Sequence, residues 1–199
     1  MLERIRDLNL TLVSVAWGCS SNALKNERKE LMSQIDLLVK DFLAQKRIAV
    51  VGVSDKRDTG CNLGYRRFKA NGYIVSAVNP HMTTFEGDPC YPDLKSIPEK
   101  PDAVFILANP KVTEQIVHQC VDLGIKHVWM HCLMGTKPGL GVAMTSVSQP
   151  AVQVCRQNGI AVIPGACPNQ FLKPDVGHAI MRMMFGAIGF HRIMGPAAP

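Results

Sequence analysis

A glycine at position 52, a serine at 54 and a run of cations close behind them are the residues best placed to do chemistry, and that chemistry is anion binding. In the stretch GVSDKRDTGCNLGYRR, Gly52 lets backbone come close to a ligand and Ser54 offers a hydroxyl. The segment after the turn reads as a helix, whose free N-terminal amides favour a phosphate. Lys56 and Arg57 in the turn, with Arg66, Arg67 and Lys69 on the helix, would add charge-assisted hydrogen bonds to phosphoryl oxygens. The plainer account is a tight turn beside a solvated basic face. Geometry and charge agree on the phosphate, so that reading leads.

Neither common nucleotide fingerprint is present. A dinucleotide turn needs G-x-G-x-x-G and an acid near the end of the second strand for the ribose hydroxyls. Here the glycines fall at 52, 60 and 64, and Asn79 and Pro80 stand where the acid would be. A nicotinamide-dependent oxidoreductase is therefore an alternative rather than the first reading. No G-x-x-x-x-G-K-S or G-x-x-x-x-G-K-T occurs, so nucleoside triphosphate hydrolysis is not expected.

The remaining reactive side chains offer less. His127 and His131, with Cys132 beside them, have a superficial metal-ligand spacing. Their segment reads as a strand, which spreads residues four apart too widely for easy chelation, so both are expected as core or strand-end histidines and no metal is expected. His178 and His191 have no serine or acid partner recognisable from sequence, and solvated or capping roles are expected. No carboxylate pair has a suggestive spacing. Cys61, at a predicted helix start, is expected to have a lowered thiol pKa, and Cys167 lies on the rim after the fifth strand, where a mixed disulfide with a ligand thiol is conceivable.

These residues are positioned by alternating strands and helices. Continuous β-branched runs occur at IAVVGV (48–53), YIVSAVN (73–79), DAVFILA (102–108), HVWMHC (127–132) and IAVIPG (160–165), which predicts five buried strands. Helical periodicity predicts helices over about 33–46, 61–71, 112–123 and 144–157, and again in the tail DVGHAIMRMMFGAIGF. The tail's methionines are expected in the core. Gly72, Gly124 and Gly159 each follow a helix and precede a strand, where positive φ is commonly required. The prediction is an α/β, Rossmann-like open parallel sheet of about five strands, with helices on both faces and the ligand crevice beyond the strands' carboxyl ends.

The order and spacing of several segments resemble the small CoA-binding domain proteins, whose fold is shared with the nucleotide end of the succinyl-CoA synthetase alpha subunit. The shared features are the IAVVGVS turn, G-Y-x-V-x-x-V-N-P at 72–80, and D-A-V opening the third strand. L-G-I-K-H-V-W-M at 123–130 and G-I-A-V-I-P-G-A-C-P at 159–168 extend the likeness, which covers about residues 33–190. The resemblance implies that Gly52, Val53 and Ser54 carry the pyrophosphate, that Asn79 and Pro80 border the adenosine, and that Ala108, Asn109 and Pro110 close over the nucleotide. With Lys56, Arg57 and Asn62 these make the candidate coenzyme A-binding set. Such proteins often have a hydrophobic-Arg-Pro or Val-Pro at the last place; Ala-Asn-Pro stands here, which leaves open the group that meets the adenine edge. Ligase chemistry in the family needs a phosphorylated histidine in a second domain and a nucleotide-grasping partner domain, and neither is recognised here. Binding of coenzyme A or an acyl-CoA without intrinsic catalysis is thus expected, with a CoA-binding subunit of a separately encoded acyl-CoA ligase as a further alternative.

Composition agrees. At 199 residues, 47% apolar and 19% charged, the chain suits one domain: an N-terminal extension over 1–32, flexible or loosely attached, a Rossmann-like body over 33–192 and a disordered tail over 193–199. No apolar run reaches membrane-spanning length. Seven scattered cysteines point to a reducing cytoplasm. The net charge of +6, with Lys137, Arg156, Lys173, Arg182 and Arg192 against Asp175 alone beyond residue 136, favours an anionic partner. No basic helix, zinc-finger spacing or aromatic interleaving points to nucleic acid. A homodimer through the terminal helix is left open.

Overall fold

The computed structural model describes residues 35–132 and 145–187. The N-terminal extension, the tail from 193 and the boundaries proposed at 32 and 192 lie outside the described residues. Within them, helix α1 (35–43) leads into β1 (Arg47–Val51), then α2 (Gly60–Ala70), β2 (Ile74–Val78), β3 (Thr84–Phe85), β4 (Asp88–Tyr91) and β5 (Ala103–Ile106). There follow α3 (Pro110–Asp122), β6 (His127–Met130), α4 (Gln149–Gln157), β7 (Ala161–Pro164), a 3₁₀ turn (Pro168–Gln170) and α5 (Val176–Ala187).

The sheet has seven strands in the order β3-β4-β2-β1-β5-β6-β7. Five are those read from sequence, all parallel to their neighbours, and β4 extends the parallel run beside β2. The extra pair, β3 and β4, is a hairpin in which Phe85 opposes Asp88 across Glu86 and Gly87. Both turn residues have positive φ, 50° and 86°, the geometry that joins twisted strands through two residues. The hairpin escapes a periodicity search because its strands are two and four residues long and include Pro89.

Alternation along the strands splits the core in two. Ala49, Val51, Val104, Ile106, Val128 and Met130 face α3 and α4, meeting Ile116, Val117, Cys120, Val152 and Cys155. Ile48, Val50, Phe105, Trp129 and Ile163 face α1 and α2, meeting Ile35, Val39, Phe42, Tyr65 and Phe68. Strands buried on both faces explain why their sequences are almost uniformly apolar. As expected, Gly72, Gly124 and Gly159 leave their helices with φ of 84°, 64° and 62°.

Two expectations change. The helix expected from 144 begins at Gln149, because Ser148 caps it and Pro150 fixes its first turn; Thr145 instead bridges Cys132. Nor do the terminal methionines fill the core: Met183 and Met184 are 71% and 51% exposed, with Ile180 and Val176 exposed beside them. Helical spacing marks an apolar stripe, and only packing decides whether the stripe is covered.

Candidate functional site

Strand order reverses between β1 and β5. From β1 the chain crosses to β2 on one side, and later returns to β5 on the other, so a crevice opens beyond the carboxyl ends of these two strands. The first turn passes very close to its neighbour there. Gly52 has φ of 104°, its N–H donates to the Val78 carbonyl at 3.0 Å, and a Cβ at this position would lie 2.0 Å from the Leu107 carbonyl oxygen. Only glycine fits, for reasons of both torsion and space.

Two asparagines fasten the loop that follows. Asn62, 3% exposed on the first turn of α2, accepts from the Ser54 N–H at 3.0 Å and donates to the Ser54 and Arg57 carbonyls at 2.7 and 3.3 Å. Asn79 donates to the Val53 carbonyl at 2.7 Å and accepts from the His81 N–H at 2.9 Å. The Ser54 hydroxyl accepts from the Lys56 N–H at 3.2 Å, which leaves its own proton free to donate outward. Thr59 caps α2 by accepting from the Asn62 N–H; helix geometry then leaves the Gly60 and Cys61 amides without intrahelical acceptors, and no acid sits in the first turn. Val53 is buried beneath the loop and Pro80 is exposed at its edge.

The cations divide into two groups. Arg66 pairs with Asp58 at 3.0 Å and Glu86 at 2.6 Å, Arg67 pairs with Asp175, and Lys69 pairs with Asp88. The expectation that all three serve a phosphate is corrected: neighbouring carboxylates already occupy them. Lys56 and Arg57 are exposed at the loop's mouth with no ion pair among the described residues. Next to them an open cleft of about 320 Å³ is bounded by Ser54, Arg57 and Asn62 on one side and by Thr84, Phe85 and Glu86 of the hairpin on the other. One wall of the cleft thus comes from the element that sequence periodicity did not reveal.

At the end of β5, the Ala108 N–H donates to the Ser146 hydroxyl at 2.9 Å, and Asn109 caps α3 by accepting from the Lys111 N–H at 3.0 Å, with Pro110 in the first turn. These three residues stand on the same rim as the Gly52 turn. Ser146, which the sequence reading did not single out, is 2% exposed and donates its N–H to the His131 carbonyl at 2.8 Å.

The two strand histidines occupy opposite ends of β6. His127 lies 3.0 Å from Asp41 of α1, whereas His131 is 5% exposed, its ring meeting Phe105 edge-on at 6.0 Å. Burial lowers the His131 pKa to about 4, so the ring is neutral. Its Nδ1 has no partner among the described residues, and the same holds for Oδ1 of buried Asn169 after β7. A burial pattern, available only in three dimensions, was the signal needed to find them.

The thiol and tail-histidine expectations are also revised. Cys61 is fully buried and donates to the Val51 carbonyl at 3.5 Å; burial pushes its pKa up, outweighing the helix terminus that was expected to lower it. Cys167 is 4% exposed, and burial, partly offset by hydrogen bonds from Asn169, pushes it up to about 11. Both are protonated thiols rather than nucleophiles near neutral pH. His178 does have an acid partner: Asp175 caps α5, accepting from the His178 N–H at 2.9 Å and lying 2.7 Å from its ring nitrogen. These bonds, with Arg67 behind them, hold the Asp175 carboxyl well below the usual carboxylate range. His191 lies outside the described residues. Among the described residues no helix is long and apolar enough to cross a membrane.

Comparison with known proteins adds a family to this geometry. A model described as the CoA binding domain matches residues 46–170. The ADP-forming acetate-CoA ligase I of Archaeoglobus fulgidus is 27% identical over 124 residues, covering 61% of this chain and 18% of the ligase. Ligase II of the same organism is 29% identical over 131 residues, covering 62% and 19%. The chain therefore spans less than a fifth of the length of these relatives. A hypothetical protein from Pyrococcus horikoshii OT3 superposes with a TM-score of 0.60 at 25% identity, over 70% of this chain and 92% of that one.

Proposed function

The chain belongs to the CoA binding domain family, and from that premise we propose that it holds coenzyme A or an acyl-CoA on the rim formed by the ends of β1, β2 and β5, without chemistry of its own. The observation that carries this reading is the loop after β1: a glycine turn at the strand-order reversal, fastened by Asn62 and Asn79, with Lys56 and Arg57 uncommitted at its mouth. Gly52, Val53 and Ser54 form the diphosphate cradle, with the Gly60 and Cys61 amides and the two cations completing the charge match. Asn79 and Pro80 border the adenosine, and Ala108, Asn109 and Pro110 face it from the end of β5. An amide at position 79, already bonded to the loop, gives a nicotinamide nucleotide's ribose no carboxylate to meet. The reducing cytoplasm suits the six free cysteines among the described residues, all buried.

The similarity to acetate-CoA ligases favours a second reading, in which the domain lends its coenzyme A site to a separately encoded ligase partner. Isothermal titration calorimetry against coenzyme A and NAD(H) tests the first reading: coenzyme A is expected to bind and NAD(H) not to. Tight NAD(H) binding with none for coenzyme A overturns it. Co-purification of a ligase subunit with the tagged chain would favour the second reading.

A further inference from the structure

The last helix leaves an apolar surface that no other described element covers. Val176, Ile180, Met183 and Met184 of α5 recur at helical spacing, which sets all four on one side of the helix. Val176 is 77% exposed and the other three are more than half exposed, whereas His178 and Met181 on the opposite side are half-buried. Contacts on the inner flank hold this orientation. Arg182 pairs with Asp36 of α1 at 3.2 Å and lies 4.6 Å over the Phe171 ring, and Asp175, which caps α5, pairs with Arg67 of α2. Leu37, 64% exposed, adds apolar surface on the outward side of α1, the helix that Arg182 ties to α5.

A contiguous exposed apolar stripe marks a surface that meets something, and the charge around it decides what. No acid lies within α5. The acids of α1 and of the turn before α5 are all occupied: Asp36 by Arg182, Asp41 by His127 at 3.0 Å, and Asp175 by Arg67 and His178. Lys40, which shares the outward side of α1 with Leu37, and Lys173, just ahead of Val176, are exposed with no ion pair among the described residues. The free charge bordering the stripe is therefore positive, as is the whole chain at +6. A second copy would set like charges against each other, whereas an anionic surface neutralises them. Flexible methionines and aliphatics flanked by lysines, whose stems can lie along apolar surface while the ammonium stays in water, suit the boundary of a bilayer.

We infer that α5 docks the protein on an anionic lipid surface, its apolar stripe entering the boundary between headgroups and acyl chains while Lys40 and Lys173 meet lipid phosphates and carboxylates. The helix lies on the bilayer and does not cross it, since its 12 residues fall short of the roughly 20 that a span needs. None of the residues involved belongs to the coenzyme A set, so the inference stands apart from that reading.

Co-sedimentation of the full chain with vesicles tests this, comparing pure phosphatidylcholine with phosphatidylcholine containing about a third phosphatidylserine. Binding is expected to be at least about tenfold tighter to the serine-containing vesicles and to weaken as salt rises. Ile180→Ser with Met183→Ser, and separately Lys40→Gln with Lys173→Gln, should each weaken it about tenfold or more. Melting temperatures and coenzyme A affinity should be unchanged in both variants, because the altered side chains are exposed and outside the coenzyme A set. Failure of the wild-type chain to bind either vesicle overturns the inference, and that comparison needs no variant to fold. Binding that survives Ile180→Ser with Met183→Ser also overturns it, since it would be adsorption of a basic protein to an acidic surface. Sedimentation equilibrium without lipid covers the other occupant: a wild-type dimer that the serine variant dissociates assigns the stripe to a second copy and overturns the lipid surface.

Discussion

Two stretches of one sheet edge treat their polar groups in opposite ways. In the loop after β1, the Asn62 and Asn79 side chains are spent on backbone: Asn62 holds Ser54 and Arg57, and Asn79 holds Val53 and His81. At the ends of β6 and β7, His131 and Asn169 are buried, yet a ring nitrogen of the first and the side-chain carbonyl oxygen of the second have no partner among the described residues. The first arrangement braces the loop through its own backbone and leaves Lys56 and Arg57 exposed at its mouth. The second holds polar groups in reserve at a cost in the free protein.

The contrast can be broken most forcefully at Gly52. Gly52→Ala sets a methyl 2.0 Å from the Leu107 carbonyl at a φ of 104°, and a loss of about 4 kcal/mol is expected, read from urea denaturation. A variant as stable as wild type would mean that the β1 and β5 ends are not in close contact.

Acid tests the other stretch. In the fold His131 stays neutral down to about pH 4, while its ordinary value is 6.5. The unfolded chain therefore takes up the proton first. The stability contributed by the neutral ring is complete above 6.5 and is lost as pH falls from there towards 4, reaching about 2–3 kcal/mol at about pH 4.5. Denaturation midpoints followed from neutral pH to pH 4.5 should fall more steeply for wild type than for His131→Gln; parallel curves would show that the ring is not buried as described.

Asn62→Ala removes four side-chain bonds from the satisfied loop, to Ser54 twice, Arg57 and Thr59, and leaves the Ser54 N–H without its acceptor. About 2 kcal/mol of stability is expected to go, together with measurable coenzyme A binding. If binding survives in calorimetry, the loop does not need its clamp.

The smallest effects separate free cations from committed ones. Replacing Lys56 and Arg57 together by Ala should lower coenzyme A affinity about tenfold with an unchanged melting temperature. Arg66→Ala, which breaks only the pairs with Asp58 and Glu86, should leave affinity within about twofold. A reversal of these two results would restore Arg66 as a phosphate ligand.

Much of this contrast was legible before any coordinates. β-branched runs ending near glycine, and helices punctuated by Gly72, Gly124 and Gly159, predict the parallel sheet, because strand burial and helix termination are encoded within a few neighbouring residues. The hairpin was not, since Thr84–Phe85 and Asp88–Tyr91 are too short to show a period.

Local sequence alone determined the parallel β/α frame and the turn at Gly52, whose backbone conformation needs glycine. Tertiary structure alone decided which charges are free and which polar atoms are unmet. Arg67 is neutralised by Asp175, 108 residues away, and His131 is brought beside the turn carrying Asn169 by the pairing of β6 with β7. Such pairings depend on which faces of distant elements meet when the core closes, a relation that no short window of residues contains.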